Sequence, residues 1–154
     1  AFEDLKHKFQ KRFVYKKYRA LVLGSVQKDH ETIQLKIARS KSAGRMVARP
    51  GSQEGKEAIT EYQVLERYAN ATEVDVDIHT GRTHQIRAHF HALGNPVVGD
   101  PLYTIKSVKD IPFPRLWLHA YELKLALPGE HEARSFQVPI PTELTDLTDK
   151  LHKV

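Results

Sequence analysis

The sequence contains no cysteine, one methionine and one tryptophan. Without cysteine there is no disulfide framework and no thiolate zinc site. No apolar run approaches the roughly 20 residues that a membrane-spanning helix needs. The opening residues, Ala1-Phe2-Glu3-Asp4-Leu5-Lys6, lack the basic-then-apolar pattern of a signal peptide. They also lack an initiator methionine, which suggests a piece of a longer chain. The glycines between Gly44 and Gly55 form neither a GxGxxG nor a Walker pattern, which argues against nucleotide binding. His79, His84, His89 and His91 cluster, but the glutamate of a zincin motif is missing. On a helix, residues five or two apart diverge, so no metal is expected.

What is present is ordinary in amount and uneven in placement. The 154 residues are 40% hydrophobic and 28% charged, enough for one domain with its own core. The formal charge is +5 and the pI about 9.4. A basic balance favours polyanionic partners, because cations that meet phosphates release counterions. Seven Lys or Arg fall within Lys6–Arg19. Part of that run reads as a solvated helix face, and the rest as a stripe that could face RNA.

Periodicity gives an α+β reading, mostly antiparallel or mixed sheet with a few flanking helices. Residues 1–12 read as a helix with Leu5, Phe9 and Phe2 on one face and Lys6, Lys8, Lys11 and Arg12 mostly elsewhere. Phe13–Leu23 reads as a strand, with Tyr18, Ala20 and Val22 opposite Lys17, Arg19 and Leu21. Glu31–Ala38 alternates as a single strand. The polar stretch 39–56 surrounds a short strand at Met46–Ala48. Ala58–Tyr68 and Thr72–His79 read as an antiparallel pair, with Asp75 and Asp77 on the polar face. His84–Leu93 reads as a helix stopped by Gly94, with Thr80-Gly81 supplying a turn and cap ahead of it. Leu116–Leu127 reads as a long strand with Trp117, His119, Tyr121, Leu123 and Leu125 on one face. His119 is expected to be a hydrogen-bonded core residue. A short strand at Ser135–Val138 and a helix at Thr142–Lys153 complete the chain.

The segment Thr80–Arg87, TGRTHQIR, carries the functional argument. A strand ends, a glycine turns the chain, and a helix begins. The free N–H groups of a first helical turn attract anions. Arg82 and Arg87 flank that turn, and guanidinium groups grip carboxylates and phosphates with a planar fork of donors. His84 and Gln85 add hydrogen-bonding side chains. The corner can therefore hold a phosphate or orient an acidic side chain.

TGRTHQIR, continued by LGNPVVGDPLY, resembles the signature of the RluA-type RNA pseudouridine synthases. Four further blocks match in order: KKYRALVLG at Lys16–Gly24, GKEAITEYQVLER at Gly55–Arg67, RLWLHAYELKLALP at Arg115–Pro128 and FQVPIP at Phe136–Pro141. The resemblance spans roughly residues 13–145. It implies isomerisation of uridine to pseudouridine in ribosomal or transfer RNA, in the cytoplasm, without cofactor or metal. The target base would leave its stack. By the same resemblance Tyr18 corresponds to the tyrosine that packs on the flipped uracil and assists proton removal. Arg87 corresponds to the arginine that pairs with the catalytic aspartate, with Arg82 the second choice. Lys16, Lys17, Arg82, His84 and Gln85 are the expected RNA contacts.

The family's catalytic aspartate belongs to an Arg-Leu-Asp stretch upstream of the tyrosine strand. None of the eight aspartates here follows Arg-Leu, and only Asp4 precedes Tyr18. Asp100 reads as structural, with its carboxylate capping local N–H groups. The expectation is that residues 1–154 are part of a synthase catalytic domain whose aspartate lies upstream, inactive alone. The alternative is a non-catalytic RNA-binding module that retains the fold. An Arg-Leu-Asp segment encoded just upstream favours the first; a start codon there favours the second.

Overall fold

The computed structural model describes every residue except Arg12 and Ser52. Arg12, which the sequence placed on the polar side of the first helix, lies outside the described residues.

The order along the chain is α1 (Phe2–Gln10), β1 (Tyr15–Leu23), β2 (His30–Ile33), β3 (Lys36–Arg39), β4 (Met46–Arg49), β5 (Thr60–Arg67) and β6 (Ala71–Ile78). Then follow α2 (Gln85–Ala92), β7 (Leu118–Leu125), β8 (Arg134–Gln137) and α3 (Thr142–Thr148). Six strands form one sheet in the order β2-β5-β6-β1-β7-β8, and β3 pairs with β4 as a separate ribbon. Every strand pair is antiparallel. The α+β expectation holds. No helix among the described residues is long and apolar enough to cross a membrane.

The central strand β1 explains the layering. Ala20 and Val22 enter a first core with Val74, Val76 and Ile78 of β6 and Ile86 and Phe90 of α2. Leu21 and Leu23 enter a second core on the other face, with Trp117 and Leu144. Alternation puts these sets on opposite sides. Trp117 also donates its indole N–H to the Leu144 carbonyl at 2.9 Å, which ties α3 to the sheet. The second face of β1 is therefore not uniformly polar. Lys17 and Arg19 give way to Leu21 as the strand enters the molecule.

Two strand expectations need correction. Glu31–Ala38 is not one strand. It splits into β2, paired with β5, and β3, paired with β4. Ile33 and Ile37 are both buried, but in different cores. Alternation shows that these residues are covered; it does not show that one sheet covers them all. The β7 face also breaks. Tyr18 opposes Ala120 while Lys17 opposes Glu122, leaving Tyr121 as an extra residue. Such a bulge changes the facing of everything beyond it. His119 sits across from Arg19, whereas Leu123 sits across from Lys16 on the opposite face. His119, expected to be hydrogen-bonded, has its Nε2 buried without a hydrogen-bond partner among the described residues.

Candidate functional site

A hydrogen-bonded chain builds the corner after β6. Ile59 N–H donates to Thr80 Oγ1 at 3.0 Å, and the Thr80 hydroxyl donates to Gln85 Oε1 at 2.7 Å. Gln85 Oε1 also accepts the Arg82 N–H at 3.1 Å. Gln85 Nε2 donates to the Ile59 carbonyl at 3.0 Å and to Thr60 Oγ1 at 2.9 Å. Thr60 then donates to His89 Nδ1 at 2.8 Å, and His89 Nε2 donates to the Leu35 carbonyl at 2.7 Å. With Nε2 committed to the Leu35 carbonyl, the neutral imidazole leaves Nδ1 as the acceptor for the Thr60 hydroxyl. Burial pulls its pKa below the usual histidine range. This chain joins α2, β5, the end of β6 and the segment between β2 and β3.

The network corrects two expectations. Gln85, expected to meet RNA, is buried instead, and its amide is fully used within the chain. Thr80 serves that amide instead of capping α2. His84 stands at the N-cap, in the left-handed region at φ 55°, without a side-chain cap bond. The N–H groups of Arg82 and Gln85 are consumed within the turn. His84 turns toward the β3–β4 ribbon. Tyr103 Oη accepts the Met46 N–H at 3.0 Å and donates to His84 Nδ1 at 3.1 Å. Burial first, and then the Arg87 charge, lower the His84 pKa.

Arg87 also departs from expectation. Its Nε and Nη2 donate to the two oxygens of Asp100 at 2.7 and 2.8 Å, a bidentate pair in which the Asp100 side chain is fully buried. Asp100 Oδ1 accepts the Leu102 and Tyr103 N–H groups as well, the capping expected of it. Burial would raise the Asp100 pKa. Arg87 and those two N–H groups outweigh burial and hold it below the usual carboxylate range. Gly99 lets this loop close, because a Cβ there would lie 1.8 Å from the Arg115 carbonyl oxygen. The guanidinium fork of Arg87 is thus occupied by an aspartate of this chain.

Arg82 is differently placed. Its Nε donates to the Glu57 carbonyl at 2.8 Å. With Gly81 it forms a ridge between two clefts. The first, about 410 Å³, is lined by Lys16, Val14, Phe9 of α1 and residues 78–82. No carboxylate lines it. Lys16 has no ion-pair partner among the described residues, and burial pulls its ammonium below the usual lysine range. Its Nζ lies 3.1 Å from where a Cβ on Gly81 would stand and 5.7 Å from the centre of the Phe9 ring. Tyr18 follows on the same face of β1, half-buried, and burial raises its hydroxyl pKa.

Lys17 points the other way. It pairs with Asp77 at 3.4 Å and Asp75 at 3.7 Å on the far face of the sheet. Burial works against its charge, but the two carboxylates outweigh it and raise its pKa. Lys17 is therefore removed from the cleft-facing set. The same far face carries Tyr121, whose hydroxyl donates to Asp75 at 2.5 Å, and Arg19, which pairs with Glu73 at 3.0 Å. The histidines do not converge. His79 meets Glu61, His84 meets Tyr103, His89 meets Thr60, and His91 meets the Thr104 carbonyl.

The sequence missed two cleft residues, Arg39 and Lys56. Both line the second cleft, about 490 Å³, beyond the ridge. Lys56 belongs to a recognised block, but its facing depends on the fold of the ribbon.

Residues 1–92 match the family model described as RNA pseudouridylate synthase. The chain belongs to this family. An uncharacterized RNA pseudouridine synthase of Aquifex aeolicus is 42% identical over 151 residues, covering 92% of this chain and 46% of its own length. The dual-specificity RNA pseudouridine synthase RluA of Pasteurella multocida is 38% identical over 140 residues, covering 90% and 63%. The solved human RNA pseudouridylate synthase domain containing 1 superposes with a TM-score of 0.80 at 34% identity, covering 97% of this chain and 63% of that one. The chain spans about half the length of the first curated relatives it matches.

Proposed function

We propose that these residues form the base-binding part of an RNA pseudouridine synthase catalytic domain, acting on uridine in cytoplasmic ribosomal or transfer RNA. The observation that carries this reading is Lys16. A half-buried ammonium without a carboxylate is costly to hold, and that cost is offset when an anion enters its cleft. Arg82 adds a second cation at the same cleft, and Tyr18 follows Lys16 on the same face of β1. That set suits a flipped uridine with its phosphate, together with one carboxylate delivered from outside residues 1–154.

In this reading the delivered aspartate does the essential chemistry. The N1–C1′ bond breaks, the uracil rotates, C5 bonds to C1′, the C5 proton is lost to solvent and N1 takes up a proton, with no cofactor or metal. Arg82 keeps the aspartate ionised and aimed. Arg87 is a positioning residue that holds the loop around Asp100. Tyr18 packs on the base.

The test is tritium release from RNA labelled at uridine C5. This chain alone should give no turnover. A polypeptide of the relatives' full length that contains these residues should turn over, and Arg82→Ala should lower its kcat by about 10²-fold or more, as loss of a charge-positioning donor does. Turnover by the chain alone would defeat the assignment of the aspartate to another segment. The absence of any carboxylate from the first cleft favours a second reading, an RNA-binding module without chemistry. That reading stands if the longer polypeptide binds RNA but releases no tritium.

A further inference from the structure

We propose that the second cleft is a nucleotide subsite, holding the base and phosphate of the residue next to the target uridine, so that the RNA strand crosses the Gly81–Arg82 ridge. This rests on the RNA reading above. The lining of the cleft supports it. Ile37, Ala38 and Met46 supply an apolar floor, and Arg39, Lys56 and Arg82 supply three cations. No carboxylate lines the cleft. Neither Arg39 nor Lys56 has an ion-pair partner among the described residues, and both are exposed. An apolar floor under a cationic rim matches the two halves of a nucleotide, a base whose face packs on apolar side chains and a phosphate that takes charge-assisted hydrogen bonds.

The ridge suits a crossing strand. Gly81 is exposed, and the nearest atom a Cβ there would meet is Lys16 Nζ at 3.1 Å. No side chain therefore stands between the two clefts at that residue. Arg82 is tethered at Nε by the Glu57 carbonyl, and its two Nη groups have no partner among the described residues. Lys16 and Arg82 then flank the target nucleotide, and Arg82, Arg39 and Lys56 flank its neighbour. The ribbon β3–β4 forms one side of this subsite. Its inner residues Ile37, Met46 and Ala48 join a small core with Ala88 and Tyr103, which fixes that side against α2.

The experiment measures binding of a 12-nucleotide single-stranded RNA to the 154-residue chain as a function of salt. Each phosphate contact contributes about 0.7 to the slope of log K against log salt for single strands. The Arg39→Ala/Lys56→Ala variant should lower that slope by about 0.7, the share of the one phosphate held there. A Lys109→Ala/Lys150→Ala control, altering exposed cations elsewhere, should leave it unchanged. A second readout is amide chemical-shift mapping. The uridine trinucleotide should move the amides of Ile37–Arg39 and Gly55–Lys56, whereas uridine 5′-monophosphate should move mainly those of Lys16–Tyr18 and Gly81–Arg82. If RNA binds but the cleft variant keeps the wild-type slope, or the control loses as much, the subsite is wrong and the RNA reading survives. If the trinucleotide leaves the ribbon amides unmoved, the subsite is again wrong. If the unmodified chain binds no RNA, the functional reading itself fails, and the subsite with it.

Discussion

Arg87 and Arg82 are five residues apart in one motif and do different work. Arg87 lies on α2 and its fork closes on the buried Asp100. Arg82 lies in the turn and faces two clefts. Asp100→Asn should therefore act on stability. Removing one partner of a buried pair leaves the other charge uncompensated and costs about 3–5 kcal/mol. Urea unfolding of the variant should show a lower midpoint with an unchanged slope. A loss under about 1 kcal/mol would mean that Arg87 relaxes to solvent. Both arginines were legible as candidates, because guanidinium chemistry is a property of the residue. Their division of labour was not, because Asp100 lies thirteen positions further along and reaches Arg87 only when Gly99 closes the loop.

At the scale of elements, the joint between α2 and β5 depends on a neutral histidine. His89 accepts from Thr60 and donates to the Leu35 carbonyl, so protonating Nδ1 sets two donors against each other. Its pKa is lower in the folded chain than the unfolded value of about 6.5. The unfolded chain therefore binds the proton first as pH falls. The stability from this site is complete above about pH 6.5 and declines as pH drops toward the folded value. The stability difference between wild type and His89→Gln should shrink as pH is lowered from 7.5 to 5.5, read by thermal or urea unfolding. A constant difference would show that His89 does not titrate on unfolding. The helix itself was visible from Ile86, Phe90 and the stop at Gly94, since periodicity reports which face is buried. The network was hidden, because Thr60, Thr80, Gln85 and His89 come from β5, α2 and the turn between β6 and α2, and none is apolar.

For the whole molecule, the uneven cover of the sheet is the main feature. α2 covers one half of the cleft face. Beyond Tyr18 that face carries Lys16, Leu123 and Phe136 in cross-strand register. Phe136 and Val138 are exposed there, and Phe2, Phe9, Phe13 and Tyr15 are exposed on α1 and its exit. α1 has no buried residue at all. Apolar surface on this scale favours association. The isolated chain should sediment faster as its concentration rises, and Phe136→Ser should weaken that trend. Ideal monomeric sedimentation at all concentrations would show that this surface is tolerated in water.

The sequence by itself determined the α+β class, most of the strands and helices, the family blocks and the lack of an aspartate after Arg-Leu, because these depend on residue type and local spacing. Tertiary structure alone decided which way the charged groups face. A bulge at Tyr121 sent Leu123 to the cleft face, Lys17 was drawn to Asp75 and Asp77 behind the sheet, and the β3–β4 ribbon brought Arg39 and Lys56 to the ridge. Long-range pairing sets those directions, and no local pattern encodes it.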